Sequence, residues 1–337
     1  MKSHDYQFTS RELCRLLLPT LLALACLAGG LKLSQRLGLL PRPPISLDPD
    51  TTVMAHQSAV CRAPSSAQVI ILGDSTALVG VEARELARHL PGQPGVLNLS
   101  LFIWLDLSVY GEVLADYAAA HPGQVRAVVV LLSPNKLTGQ DQNEAANEGW
   151  RQIHHDAPRP PSESEAWKDW LGVSVWQRQL LGQLLRTPLH GDGAAFFGFS
   201  SEIETYMTEH QGSLVDFGTL KVPRNISRTE RQLAPRLEEQ SRGLRARVPA
   251  GARLFIGLTP MAAGASSATE RRQRNEWLAQ WNNWMQADGV LTNLPVTLPD
   301  VFFSRTAHLN EAGKKQFTAR LGQALAPLLE KAPPPGN

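Results

Sequence analysis

Three polar residues stand where nucleophilic acyl chemistry could be built. Ser75 occurs in Leu72-Gly73-Asp74-Ser75-Thr76-Ala77-Leu78, directly after a short apolar run from Gln68 to Leu72. A serine hydroxyl is a weak nucleophile until a neighbouring base takes its proton, so it needs a histidine nearby in space. His308, in Phe302-Phe303-Ser304-Arg305-Thr306-Ala307-His308-Leu309-Asn310-Glu311-Ala312-Gly313, could be that base. Asn135, in Leu132-Ser133-Pro134-Asn135-Lys136, could donate its amide to the oxyanion formed when the hydroxyl attacks a carbonyl. The backbone N–H of Ser75 would be a second donor. Each residue also has a plainer reading: Ser75 as a helix cap, His308 as a solvent-facing residue at a helix entry, Asn135 as a turn former after proline.

The elements that must position these residues follow from the apolar pattern. Gln68 to Leu72 reads as a strand buried on both faces, and Gly73 lets the chain turn out of it. Asp74 reads as a turn and helix-start residue, too close to Ser75 along the chain to serve as the acid of a triad. Helical spacing runs from Glu82 to Leu90 and from Asp106 to Ala120; apolar runs at Gly95 to Leu99, Val125 to Leu132 and Ala252 to Thr259 read as strands. A helix is expected from Ala268 to Ala287, a short apolar run near Val290, and a last helix from Asn310 to Lys331. Asn310 would cap that last helix, and Phe317, Leu321, Leu325 and Leu328 would line one face of it. Alternating strands and helices imply an α/β fold, a three-layer α/β/α sandwich with a parallel sheet. In such folds sites form at the carboxyl ends of the strands, where Ser75 and Asn135 fall.

Other patterns are assigned to structure. Trp277, Trp281 and Trp284 recur at helical spacing and read as a core-facing stripe, while Arg271, Arg272 and Arg274 read as an exposed helix face. His154-His155-Asp156 lacks convincing metal-ligand geometry and reads as a solvated loop. The alternation fades between about 138 and 249, which reads as an insertion or lid on a domain spanning 67–331. No metal or other cofactor is implied.

The 337 residues, 43% apolar and 19% charged, suffice for a large core. With 33 Lys plus Arg against 31 Asp plus Glu the net charge is +2, which gives no footprint for nucleic acid. Cys14, Cys26 and Cys61 make no disulfide framework. Residues 13–33 are almost uniformly apolar between basic flanks, and at about 1.5 Å per residue they would span roughly 31 Å as a helix, the thickness of a bilayer core. A single transmembrane helix is the expectation, with 1–12 as a cytoplasmic tail; a cleaved signal peptide is the rival. Residues 34–66, rich in proline, read as an extended linker, and 332–337 as a tail.

Taken together, the strand-end Gly73-Asp74-Ser75, a second block around Asn98 in Val96-Leu97-Asn98-Leu99-Ser100-Leu101, Ser133-Pro134-Asn135 and the C-terminal Ala307-His308-Leu309-Asn310-Glu311-Ala312-Gly313 resemble the SGNH (GDSL-type) hydrolases. The resemblance implies Ser75 as nucleophile, His308 as base, and Asn98 and Asn135 in the blocks that form the oxyanion hole. It also implies an acid three residues before the histidine, where this chain has Arg305. Three arrangements stay open: a Ser-His dyad, an acid from elsewhere such as Asp300, or a noncatalytic relative. With the N-terminal apolar run, the chain looks like the membrane-tethered members that acylate cell-envelope polysaccharide beside a multispanning membrane acyltransferase. That resemblance implies O-acyl transfer, most simply O-acetylation, on the outer face of a bacterial cytoplasmic membrane. A simple esterase and a noncatalytic glycan-binding scaffold are the alternatives.

Overall fold

The computed structural model describes residues 9–36, 49–139, 144–156, 203–215, 232–305 and 307–330. In chain order its strands are β1 (Ala67–Gly73), β2 (Gly95–Asn98), β3 (Ala127–Leu132), β4 (Arg253–Leu258), β5 (Met261–Ala262), β6 (Gly289–Val290) and β7 (Thr297–Leu298). Five of them form one sheet in the order β2-β1-β3-β4-β6, every neighbouring pair parallel, while β5 and β7 pair separately. The helices are α1 (Ser10–Arg36), α2 (Pro49–Val60), α3 (Ser75–Gly80), α4 (Ala83–His89), α5 (Leu107–Ala120), α6 (Pro134–Thr138), α7 (Glu144–Asp156), α8 (residues 203–209), α9 (Leu237–Arg245), α10 (Ala268–Met285) and α11 (Glu311–Glu330).

Strand side chains alternate between faces, so a sheet covered on both sides needs apolar residues at every position. β1 and β3 meet that demand: Ile70, Leu72, Val128 and Val130 join one core, and Val69, Ile71, Val129 and Leu131 join the other. The first core is closed by Tyr110 and Val113 of α5, Leu244 of α9 and Trp277 and Trp281 of α10; the second by Leu86 of α4 and Phe317, Leu321 and Leu325 of α11. The molecule is thus the expected three-layer sandwich. Trp277 and Trp281 are buried and Trp284 packs against them, as a core stripe should.

Four expectations are corrected. Part of the stretch read as linker, residues 49–60, is α2, and Val53 and Cys61 lie in the first core. Its helical period is hidden in the sequence because Thr52, His56, Gln57 and Ser58 are buried too, so polar residues occupy inward positions. Within 138–249, α9 packs on α5 and α10 and is a regular crossover helix, not an insertion; the remainder of that stretch lies partly outside the described residues. His154 stands on α7 with its ring stacked on Trp150, not on a solvated loop. Arg274 is buried, whereas Arg271 and Arg272 are exposed, because position 274 shares the inward face of α10 with Trp277 and Leu278.

The N-terminal run is helical over a longer range than expected, Ser10–Arg36, with Leu17, Leu18, Leu21, Leu22, Leu24, Leu27 and Leu33 exposed. Among the described residues, no helix is long and apolar enough to cross a membrane. The stretch 13–33, expected to span a membrane, lies inside this helix, and its described leucines are exposed.

Candidate active site

The serine is placed by an elbow between β1 and α3. A Cβ on Gly73 would fall 2.0 Å from the Leu131 carbonyl oxygen and 2.7 Å from Ala77 Cβ, so glycine is needed for β1 to approach β3 and α3 this closely. The close approach, more than freedom to turn, is the reason for glycine here. Asp74 then caps α3 from an extended backbone. Its Oδ1 accepts from Thr76 N (2.9 Å) and Thr76 Oγ1 (2.5 Å), and its Oδ2 from Ser133 N (2.9 Å) and Ser133 Oγ (2.7 Å). Because the single Thr76 hydroxyl proton goes to Asp74, the 2.7 Å contact between Thr76 Oγ1 and Thr259 Oγ1 is donated by Thr259. One fully buried carboxylate therefore ties together the ends of β1 and β3, with β4 linked through Thr259. Four charge-assisted bonds offset the cost of burying it.

Ser75 is the next residue and is 7% exposed. In the first turn of α3, Thr76 N–H is taken by the Asp74 carboxylate, and Ala77 and Leu78 N–H by the Asp74 carbonyl at 2.9 and 3.1 Å. Among the described residues no hydrogen bond is made by the Ser75 N–H, which leaves it available as a donor.

The histidine comes from the opposite direction, on the turn before α11. The His308 carbonyl accepts from Ser304 N (2.9 Å), Arg305 N (3.3 Å) and Ser304 Oγ (3.2 Å). A bridge joins Phe303 to Leu309, and both side chains are buried. Asn310 donates to Val301 O (2.7 Å) and accepts from Gly313 N (3.0 Å), the expected cap. Gly313 is required because a Cβ there would meet Phe302 O at 2.1 Å. The outcome is a His308 Nε2 to Ser75 Oγ distance of 2.9 Å across 233 positions of chain. With the ring proton on Nδ1, Nε2 accepts the serine O–H, the arrangement a general base needs.

The other sequence candidates divide. Asn135 sits half-buried in the first turn of α6, which Ser133 caps by accepting from Lys136 N (3.1 Å) while also bonded to Asp74. That places Asn135 at the same strand edge as Ser75, on the wall of a cavity. Asn98 is corrected: it is wholly buried, and its amide donates to Ala77 O (3.1 Å), Leu78 O (3.4 Å) and Val81 O (3.3 Å). With Oδ1 accepting from Ser100 N, its side chain is committed to holding the serine's helix, not an oxyanion. Asp300, the acid offered from elsewhere in the chain, accepts at Oδ1 from Gly264 N (2.8 Å). Arg305 is exposed, at the position where the resemblance expects that acid.

Sequence reasoning missed the residues that hold this site. Lys136, 9% exposed, donates from Nζ to Ile103 O (2.8 Å) and Leu105 O (2.6 Å), fixing the loop after β2. Gln57 donates to Asn98 O (3.0 Å) and Ser100 O (2.9 Å) from a segment read as linker. Arg274 donates to Thr259 O (3.0 Å) and Leu258 O at the end of β4, and burial lowers its pKa to about 10. Only Ser133-Pro134 carried a usable signal, a cap followed by proline at the first helical position. Among the described residues no group of three His, Cys, Asp or Glu could hold a metal ion.

No family model matches this chain, and no curated protein matches it. Among solved structures it is similar to one provisionally described as a platelet activating factor from Streptococcus pneumonia, at 10% identity, covering 83% of this chain and 92% of that one, with a TM-score of 0.35. A likeness that distant carries no argument about chemistry, so the function must be argued from the geometry of Ser75, His308 and their neighbours.

Proposed function

We propose that this chain is a serine-dependent acyl-processing enzyme that transfers an acyl group, most simply acetyl, to a hydroxyl of cell-envelope polysaccharide. The observation that carries the reading is the 2.9 Å contact between Ser75 Oγ and His308 Nε2, with the serine at the carboxyl edge of a parallel sheet. Ser75 Oγ bonds to the acyl carbon as its proton passes to His308 Nε2, and the oxyanion is met by Ser75 N–H and the Asn135 amide. Collapse breaks the bond to the leaving group, which takes the proton from His308. A sugar hydroxyl then gives its proton to His308 and attacks the acyl-serine, releasing Ser75; water in its place makes the same site an esterase.

The exposed leucines of α1 and the resemblance to membrane-tethered SGNH proteins support a place at the outer face of a bacterial cytoplasmic membrane, next to a multispanning acyltransferase that supplies the acyl group.

The test is labelling of the full-length protein by a serine-directed fluorophosphonate. Labelling of wild type is expected, with none in Ser75→Ala and a rate lowered by about 10² to 10⁴ in His308→Ala. No labelling of wild type at any pH overturns the reading. If Ser75→Ala abolishes ester cleavage but leaves polymer acylation in cells intact, the protein is an esterase. Normal polymer modification with both Ser75→Ala and His308→Ala makes it a scaffold.

A further inference from the structure

His308 reaches Ser75 from the layer of the second core, on the turn whose Phe303 and Leu309 belong to it. In the layer of the first core lies a cavity of about 110 Å³, walled by Ile103, Trp104, Asn135, Lys136, Ala234 and Leu237, among others. Both of its walls start next to the nucleophile. Leu101 N, two residues before Ile103, donates to Gly73 O (2.9 Å), and Ser133, two residues before Asn135, is bonded to Asp74. Lys136 joins the walls by donating to Ile103 O and Leu105 O, and Ala234 N donates to Leu137 O (2.8 Å), which brings the approach to α9 onto α6. Polar groups on the wall are engaged elsewhere. Lys136 Nζ serves those two carbonyls, Gln240 Oε1 accepts from Leu107 N (3.4 Å), and Asp106 Oδ1 has no accessible surface. Most of the surface is therefore apolar, and the Trp104 ring is held in place by stacking on Phe102, centroids 4.4 Å apart and planes 5° apart.

We propose that this cavity is the acyl pocket of the Ser75 site and takes a chain longer than acetyl. The inference rests on the acyl-serine chemistry proposed above and adds which acyl group the site accepts. Three substituents of the attacked carbonyl carbon have to be placed. The leaving oxygen lies beside His308 Nε2, which returns its proton, and the carbonyl oxygen lies between Ser75 N–H and the Asn135 amide. The acyl chain then points away from His308 and past Asn135, which is the wall of the cavity. An apolar pocket with a few convergent polar groups at its mouth suits such a chain, since each methylene buried there is a gain. Size sets the length. A cavity of about 150 Å³ holds a six-carbon ring, so this one holds roughly four carbons. Acetyl leaves most of it unfilled, and a chain of eight carbons overruns it.

Hydrolysis of the 4-nitrophenyl esters of acetate, butyrate and octanoate by the full-length protein tests this, with fluorophosphonate labelling read in parallel. For wild type, kcat/KM is expected to be highest with butyrate. Ala234→Phe puts a ring into the cavity and is expected to lower kcat/KM for butyrate by about tenfold or more, with acetate turnover and labelling kept within about twofold. Trp104→Ala removes a wall and is expected to raise octanoate relative to butyrate by a similar factor, so either variant decides the matter if the other does not fold. Wild-type turnover highest with acetate, or one ester preference shared by wild type and the folded variants, overturns the pocket, while labelling keeps the Ser75 reading standing. No labelling and no turnover of any ester by wild type removes the acyl reading and the pocket together.

Discussion

Ser75 opens the helix after a strand whose neighbours on both sides are bonded to its elbow, whereas His308 rides on a turn that folds mainly upon itself. On the serine side one buried carboxylate, Asp74, gathers donors from α3 and from the end of β3, and Asn98 fastens three carbonyls of α3 and its C-cap from the end of β2. On the histidine side the bonds are nearly all within residues 301–313, and two buried apolar anchors, Phe303 and Leu309, fix the turn to the core. The nucleophile is thus positioned by long-range contacts that only the assembled sheet supplies, and the base by local ones. Damage to the first region is expected to unfold the sheet edge; damage to the second is expected to move one ring.

Asp74→Ala tests that difference most severely. It strands four donors, and unfolding in urea is expected to show a loss on the order of 3–5 kcal/mol together with loss of fluorophosphonate labelling. A change below about 1 kcal/mol would show that the carboxylate does not hold the elbow.

Acid supplies a second probe of the serine side. His56 on α2, next to the Gln57 that braces Asn98 and Ser100, is buried without a partner for Nε2, and desolvation lowers its pKa from 6.5 to about 4. The unfolded chain takes up this proton first as pH falls, so stability is intact above pH 6.5 and is lost between pH 6.5 and about 4. The loss is on the order of 3 kcal/mol. His56→Leu is expected to flatten this part of the stability profile, and a profile identical to wild type would assign the acid sensitivity elsewhere.

On the histidine side effects should be smaller. Asn310→Ala removes the cap of α11 and is expected to cost about 1 kcal/mol in thermal unfolding, with labelling slowed but retained. A loss as large as that of Asp74→Ala would erase the contrast between the two regions. Arg305→Asp changes an exposed side chain and is expected to leave stability within about 0.5 kcal/mol. By placing a carboxylate where it can orient His308, it should raise turnover of a small acetyl ester, by less than the roughly 10⁴ factor a full triad's acid supplies. Unchanged turnover would show that the imidazole is already oriented by its own turn.

Much of the fold was legible because its signals are short-range. β3 is six consecutive buried apolar residues, which a doubly covered strand requires, and α11 carries Phe317, Leu321 and Leu325 on one face. α2 was not legible, since its buried Thr52, Gln57 and Ser58 erase the period that hydrophobicity would show. Arg274 misled for the same reason: an arginine is read as exposed unless carbonyls at a strand end await it. Asn98 misled in the opposite sense, its motif position suggesting chemistry where its amide serves three backbone carbonyls.

The chain's own pattern determined the strands of the main sheet, the helices α4, α5, α10 and α11 and the placing of Ser75 and Asn135 at strand ends, because backbone propensity and apolar period act over a few residues. Tertiary structure alone decided that His308 reaches Ser75 and that Asp74 and Asn98 serve as fasteners. Those outcomes depend on which groups meet after collapse, and a hydrogen bond between residues 233 positions apart leaves no trace in the local sequence around either one.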